Sequence, residues 1–155
     1  MDIQFAIDEL QINEDILVVA GDNVLDFSLA KIIAYAKKKK TSCTMRYYEP
    51  SIEKLQKCGV ISFDDNDKIT LMTEKSPTPA TNWVCPAFYY YTKDDAKFIK
   101  NAISDGCGTD APGSFIAWLC QRTAVHAMEM LGKRYDIGSL ESYKAVKKEY
   151  RGIIK

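Results

Sequence analysis

Two carboxylates standing where apolar segments give way to loops are the first residues of this chain that suggest chemistry. Asp22 follows the run Ile16-Leu17-Val18-Val19-Ala20 and Gly21, and Asp136 sits in Tyr135-Asp136-Ile137-Gly138. Ionised carboxylates are hard oxygen donors, so a converging pair would suit a divalent cation such as magnesium, which takes phosphate oxygens readily as its remaining ligands. Two carboxylates brought close repel each other, and a cation between them reverses that penalty. The run before Asp22 is apolar throughout and mostly β-branched, which predicts a strand buried on both faces in a mostly parallel sheet. Ligands of such sheets bind beyond the carboxyl ends of the strands. Gly21 would allow a sharp turn there and project Asp22 into the crevice. For Asp136 a plainer role is open, as the cap of the helix that follows it.

The elements that must position these acids can be read from pattern and punctuation. Ser28 can cap a helix with the apolar stripe Leu29, Ile32, Ile33 and Ala36, closed by Lys37 to Lys40. Those lysines complement a helix dipole, with polyphosphate binding as the alternative. Thr44 to Tyr48 predicts a strand, Ser51 to Lys57 a short helix, and 59–63 with 68–73 a hairpin around Asp64-Asp65-Asn66-Asp67. That acidic turn lacks the glycine and closing glutamate of a calcium loop. Trp83 to Tyr91 predicts one aromatic strand, Asp94 to Ile103 a helix, Asp110 and Pro112 the start of another, and Ala124 to Met130 a strand. The last helix begins at Ser139 and is expected to bury Leu140, Tyr143 and Val146.

Composition narrows the function classes. The 155 residues suit one domain, and 21 basic against 21 acidic side chains argue against a nucleic-acid groove or an anionic membrane as the main partner. Apolar runs fall well short of the roughly 20 residues of a membrane span, and Met1-Asp2-Ile3-Gln4 has no basic signal-peptide start, so a cytoplasmic location is expected. Five cysteines, at 43, 58, 85, 107 and 120, are odd in number and too scattered for a zinc site, which fits reduced thiols. His126 has no second histidine or nearby cysteine to work with, which points to a packing or surface role.

In order along the chain, Val19-Ala20-Gly21-Asp22-Asn23, Cys58-Gly59-Val60, Thr73-Glu74-Lys75 and Tyr135-Asp136-Ile137-Gly138-Ser139-Leu140-Glu141-Ser142-Tyr143 resemble the sugar-phosphate nucleotidyltransferases. Thr109-Asp110-Ala111-Pro112-Gly113 and Trp118-Leu119 look nearest to the glucose-1-phosphate thymidylyltransferase-like branch. The resemblance implies the reaction of a nucleoside triphosphate with a sugar 1-phosphate to give a nucleotide-sugar and pyrophosphate. It implies Mg2+ as cofactor, with Asp22 and Asp136 as its ligands. It gives Glu74 the sugar hydroxyls, Lys75 the sugar phosphate, Gly59 a close approach of backbone to the sugar, and Asn82 a place near the loop closing over it.

Departures from the family pattern shape the expectation. Ser76 stands where a proline follows Glu-Lys in the family, and Pro86-Ala87 where a glycine precedes the aromatic strand. The glycine-rich loop and base-seating strands of the family find no counterpart. Gly106-Cys107-Gly108-Thr109 follows a predicted helix rather than a strand, which is the wrong context for a phosphate cradle. The resemblance thus implies a C-terminal part of such an enzyme: one α/β domain over 1–155, a partial, mostly parallel sheet flanked by helices, with an antiparallel hairpin. Incomplete alone, it would associate as a homo-oligomer or with an N-terminal fragment. The alternative is a catalytically silent binding or assembly module of the same fold.

Overall fold

The computed structural model describes residues 2–109 and 111–153. In chain order the elements are α1 (Asp2–Glu9), β1 (Ile16–Val19), β2 (Asn23–Leu25), α2 (Ala30–Lys39), β3 (Ser42–Tyr48), α3 (Ile52–Leu55), β4 (Gly59–Phe63) and β5 (Ile69–Glu74). Then come β6 (Trp83–Val84), β7 (Phe88–Tyr91), α4 (Lys93–Ala96), α5 (Ile99–Ser104), α6 (Gly113–Leu119), β8 (Val125–Glu129), β9 (Arg134–Asp136) and α7 (Leu140–Glu149).

The α/β class and the flanking helices are as expected. β3 is central, pairing with β8 on one side and with β7 and β6 on the other; β1 lies beyond β7, and β4 and β5 lie beyond β6. A separate two-stranded ribbon joins β2 to β9. The sheet is nevertheless antiparallel in the main, not mostly parallel. Among the described residues β3 with β8 is the one parallel pair, in register from Ser42 opposite Val125 to Arg46 opposite Glu129. Apolar runs report how many faces of a strand are covered and carry no information about direction.

β7, like most of β3, is covered on both faces. Successive side chains of a strand point to opposite sides. Phe88 and Tyr90 pack with Ile32, Ala36 and Met45 beneath α2, while Tyr89 and Tyr91 join Ile99, Phe115, Ile116 and Leu119 from α5 and α6. All four side chains are buried. β1, expected to hold that place, pairs among the described residues with β7 alone, and its Val19 is 42% exposed. The predicted strand from 83 to 91 is divided because Pro86 cannot donate to a ladder. β6 meets the far end of β3 at Tyr47 and Tyr48, and β7 meets its near end at Cys43 and Thr44.

The predicted helix from Asp94 is likewise two short helices, with Thr92 accepting a bond from the Asp95 N–H as the cap. Asp110, the expected start of the next helix, lies outside the described residues. The largest departure is α7. It forms from a Ser139–Ser142 capping box as its sequence demands, but Leu140 is 68% and Tyr143 50% exposed and none of its residues is buried. Amphipathic spacing makes an apolar stripe without guaranteeing a surface to cover it.

Candidate functional site

Backbone pairing brings the two acidic loops together. The Ala20 N–H bonds to the Ala87 carbonyl at 3.1 Å, continuing the β1–β7 ladder to the brink of Gly21-Asp22. The chain then enters β2, which runs antiparallel to β9 with Asn23 opposite Asp136, and the Ile137 N–H donates to the Asp22 carbonyl at 2.8 Å. Residues 22 and 136, more than a hundred positions apart in the chain, thus stand diagonally across one ribbon. Gly21 is not what makes the turn possible: its φ is not in the left-handed region, and an added Cβ would meet nothing within 4 Å.

A short polar network sets the side chains. Arg134 Nη1 donates to Asn23 Oδ1, and Asn23 Nδ2 donates to Asp22 Oδ1 at 2.6 Å. Asp136 Oδ1 accepts from the Gly138 N–H at 3.1 Å, and its other oxygen lies 3.5 Å from Arg134. Asp136 does not cap α7; Ser139 does. Both aspartates are exposed, so their oxygens keep room for further partners. No group of three or more metal-ligating acids, cysteines or histidines occurs among the described residues. Asp22, in the turn before β2, and Asp136, at the end of β9, are exposed carboxylates of the kind magnesium takes, one or two of which commonly hold it together with water and substrate phosphate.

Asp26 is a further contributor that the sequence reading passed over. Its carboxylate, buried under the loop between β8 and β9, accepts from the Lys133 N–H at 2.7 Å, while the Asp26 N–H donates to the Lys133 carbonyl at 3.3 Å. Gly132 leaves the space for it, since a Cβ there would stand 2.3 Å from Asp26 Oδ1. The visible signal was a charged residue between Leu25 and Phe27, where a strand and its apolar surroundings offer water little access.

Of the residues expected on the sugar side, Glu74 and Lys75 lie against Gly59 and Cys58. Glu74 ends β5 opposite Gly59, and its Oε1 would lie 2.8 Å from a Cβ on Gly59 and 1.7 Å from one on Gly113. The carboxylate therefore fills space that two glycines leave open. Gly113 was not singled out in sequence. The Lys75 N–H bonds to the Cys58 carbonyl at 3.0 Å with φ at 48°, and its side chain is exposed. Asn82 is occupied with the backbone: its Nδ2 donates to the Glu49 carbonyl, and its own carbonyl accepts from the Glu49 N–H, each at 2.9 Å.

Two clefts open beside this cluster. One, of about 640 Å³, is bordered by Asp136, Arg134, Lys133, Cys58, Lys57 and Tyr47, among others. The other, of about 480 Å³, lies on the α6 side of Glu74 and carries Trp118, with Arg122 stacked 3.8 Å from its ring centre and Asp105 accepting from its indole N–H. Burial pushes the Cys58 thiol up; Arg134 opposes this, and Glu74, Glu49 and Asp136 add to it. The thiol is thus protonated at neutral pH, with charges from both halves of the site around it. Burial also raises Tyr47 against the pull of Arg134.

A mixed α/β sheet with paired acidic loops beside a cation-rimmed cleft defines a class of domain. Residues 3–152 match the model of a family described as nucleotidyl transferase, and the chain belongs to that family. Glucose-1-phosphate adenylyltransferase of Clostridium novyi (strain NT) is 28% identical over 132 residues, 83% of this chain and 35% of that protein. A UTP–glucose-1-phosphate uridylyltransferase of Haloferax volcanii is 26% identical over 84 residues, 54% of this chain and 35% of its own length. The chain thus spans about a third of these curated relatives, at 35%. An apo UDP-glucose pyrophosphorylase crystal structure superposes with a TM-score of 0.77 at 22% identity, covering 92% of this chain and 57% of that one. The structure of UDP-glucose pyrophosphorylase complexed with UDP-glucose gives 0.73 at 21% identity, covering 93% and 60%. At those identities the two structures speak to the fold alone.

Proposed function

We propose that this chain forms the metal and sugar-phosphate side of a sugar-1-phosphate nucleotidyltransferase site, for the reaction of a nucleoside triphosphate with a sugar 1-phosphate giving nucleotide-sugar and pyrophosphate. The observation that supports this reading is the pairing of Asn23 with Asp136 and of the Ile137 N–H with the Asp22 carbonyl, which joins the two acidic segments through their backbones, with Asp136 on the border of a cleft rimmed by cations. Asp22 and Asp136 would hold Mg2+, and when bound that ion would neutralise charge on the reacting phosphate oxygens. The chain's own residues do the positioning. Arg134, through Asn23, holds Asp22 in place, and Asp26 fixes the loop that leads to Asp136. Glu74 would accept hydrogen bonds from sugar hydroxyls, and a lysine would meet the phosphate, the role the family pattern gives to Lys75.

A second reading, an assembly module, is favoured by the exposed apolar residues of α7 and by the exposed rim of β1. Association with a second copy or with a separate N-terminal fragment would cover them. Five unpaired cysteines accord with a reducing, cytoplasmic setting.

Glucose 1-phosphate binding to the full chain, measured by calorimetry with and without magnesium, tests the first reading. Binding should tighten with magnesium, and Asp22→Asn or Asp136→Asn should remove at least about tenfold of that gain. Affinity that ignores both magnesium and these substitutions would overturn it. Pyrophosphate release from a triphosphate and glucose 1-phosphate separates the two readings, since an assembly module gives none even with its partner present.

A further inference from the structure

The acidic turn between β4 and β5 is tied down where a hairpin tip ordinarily faces water. Asp67, at φ 67°, holds a left-handed conformation that suits glycine better than a residue with a Cβ. Its carboxylate is divided between elements outside its own hairpin: Oδ1 lies 2.8 Å from Arg46 Nη2 of β3, and Oδ2 accepts from the Tyr35 hydroxyl of α2 at 3.2 Å. The Asp67 carbonyl accepts from the Ala127 N–H of β8 at 2.9 Å. Lys68 bridges to His126, and Lys39 Nζ donates to the Asn66 carbonyl at 2.7 Å. α2, β3 and β8 therefore all hold this turn.

What Asp67 meets is a buried cation. Arg46 is 9% exposed, its guanidinium stands 3.9 Å from the centre of the Phe63 ring and 5.4 Å from that of Trp83, and its Nη1 donates to the Ala127 carbonyl. Its Nε is buried with no hydrogen-bond partner, and its one ion pair among the described residues is with Asp67. A pair on the surface contributes little, whereas removing one partner of a buried charge leaves the other uncompensated. The other end of the hairpin is attached differently. β4 pairs with β6 at Val60 opposite Val84, and the Cys85 N–H donates to the Gly59 carbonyl at 2.8 Å. Beyond Val60 the strand neighbour of β4 among the described residues is β5 alone, and β5 is the edge of the sheet. The underside of the hairpin, Ile61, Ile69 and Met72, is buried in the main core, but apolar contact is non-directional and leaves the angle of the hairpin to its polar ties.

We infer that the β4–β5 hairpin is a flap, hinged at Gly59 and latched at its tip by the Asp67 carboxylate on Arg46. The inference stands apart from the proposed function, since it concerns how the hairpin is held and not what binds beside it. A latch explains why an aspartate occupies a backbone position that glycine fills at less cost: covering Arg46 stabilises the hairpin by more than the left-handed conformation costs. Phe63 and Asp67 both belong to the hairpin, so opening strips the ring and the carboxylate from Arg46 together and leaves it with Trp83 and the Ala127 carbonyl. The contact is accordingly made or lost as a unit. Glu74 ends β5 opposite the hinge residue Gly59, so an unlatched flap also changes the angle at which Glu74 meets Gly113.

Native-state hydrogen exchange of the full chain tests this for Asp67→Gly, Asp67→Asn and Tyr35→Phe. The Ala127 amide reports on the tip, the Cys85 amide on the hinge, and the amides of β7 on the fold as a whole. Glycine keeps the carbonyl that Ala127 uses and favours the left-handed turn, so any loss in Asp67→Gly belongs to the carboxylate. The Ala127 amide should exchange about 10- to 100-fold faster in Asp67→Gly, as for the loss of a hydrogen bond to a charged group. Asp67→Asn keeps an acceptor oxygen without the charge and should show a smaller rise. Cys85 and the β7 amides should stay within about threefold of wild type. If Asp67→Gly is too unstable to measure, Tyr35→Phe removes a single hydroxyl and should speed Ala127 about two- to tenfold; no change there would overturn the latch. Exchange at Ala127 that is unchanged or slower in Asp67→Gly would also overturn it, and would leave Asp67 a turn residue that glycine improves. An equal rise at Ala127, Cys85 and β7 would do the same, because Asp67 would then support the whole fold and fasten no flap.

Discussion

Replacing Gly113 by alanine should separate the position of the Glu74 carboxylate from the stability of the fold. The new Cβ would lie 1.7 Å from Glu74 Oε1, 2.9 Å from Glu74 Cδ and 2.6 Å from Met72 Cε, so the carboxylate must leave its present place. The atoms in the way are the far ends of two flexible side chains. A forced rotamer change costs about 0.5–1.5 kcal/mol. Alanine at the start of α6 recovers part of it, up to the roughly 1 kcal/mol by which it exceeds glycine inside a helix. Net stability should therefore change by no more than about 1 kcal/mol, a shift in Tm of roughly 2–4 °C for a domain of this size. Binding should suffer far more. A hydrogen bond to a charged acceptor contributes about 1.5–3 kcal/mol, so if Glu74 receives sugar hydroxyls the affinity for glucose 1-phosphate should fall about 10- to 150-fold. Inorganic phosphate, which has no ring to place, should bind as before. A thermal scan and two titrations decide the matter. Wild-type sugar-phosphate affinity in a folded variant would refute the role of Glu74, and a drop in Tm well beyond the stated range would show that the two glycines serve packing.

Asp26→Ala removes the acceptor that holds the Lys133 N–H, and should destabilise the protein by about 1–3 kcal/mol while speeding hydrogen exchange at Lys133. Unchanged exchange there would show that the loop is held by other means. The pH dependence of stability should carry the mark of His126, whose pKa is lowered chiefly by burial and further by the Lys39 cation, against Asp64 and Asp67. Because the folded value lies below the unfolded one of about 6.5, the unfolded chain binds more protons in between. Stability is then full above about 6.5 and is lost as pH falls through the folded value, with a slope below about 1.4 kcal/mol per pH unit. Urea unfolding of His126→Gln should be flatter than wild type in that window, and a slope of the opposite sign would refute the assignment.

Elements announced by local chemistry were legible. Ser139 and Ser142 close their capping box, the acidic turn of 64–67 joins β4 to β5, and the segments carrying Asp22 and Asp136 pair through their backbones although nothing local connects them. Their meeting could be anticipated only through the family pattern, because strand pairing over such a separation leaves no trace in spacing. Features set by the surroundings of a segment were not legible. Ile16 to Val19 and Phe88 to Tyr91 are comparably apolar, yet the first is the rim of the sheet and the second, one strand further in, is covered on both faces. The stripe of α7 gave no hint that Leu140 and Tyr143 would remain exposed. Gly113, quoted only within a motif, and Asp26 were given no role for the same reason: the one matters through the far end of Glu74, the other through an amide in a loop more than a hundred residues away.

The candidate metal ligands stand on the least self-sufficient part of the molecule. A two-stranded ribbon is at best marginally stable in water, and β2 and β9 pair over only three residues, Asn23 to Leu25 against Arg134 to Asp136. Its geometry therefore depends on what anchors it to the main sheet. One anchor is Phe27, buried with Ile32, Met45 and Phe88, and with Leu25 packed against them; the other is the buried Asp26 carboxylate on the loop that leaves β8. Both belong to the single stretch Leu25-Asp26-Phe27, so apolar burial and a polar tether alternate along three residues and fix the ribbon from opposite kinds of interaction. A cation shared by Asp22 and Asp136 would bind only the paired ribbon and so would add its binding free energy to the same structure. Occupancy of the site and order of the ribbon are thereby coupled, and weakening the Asp26 tether should lower the affinity for the cation although Asp26 never touches it.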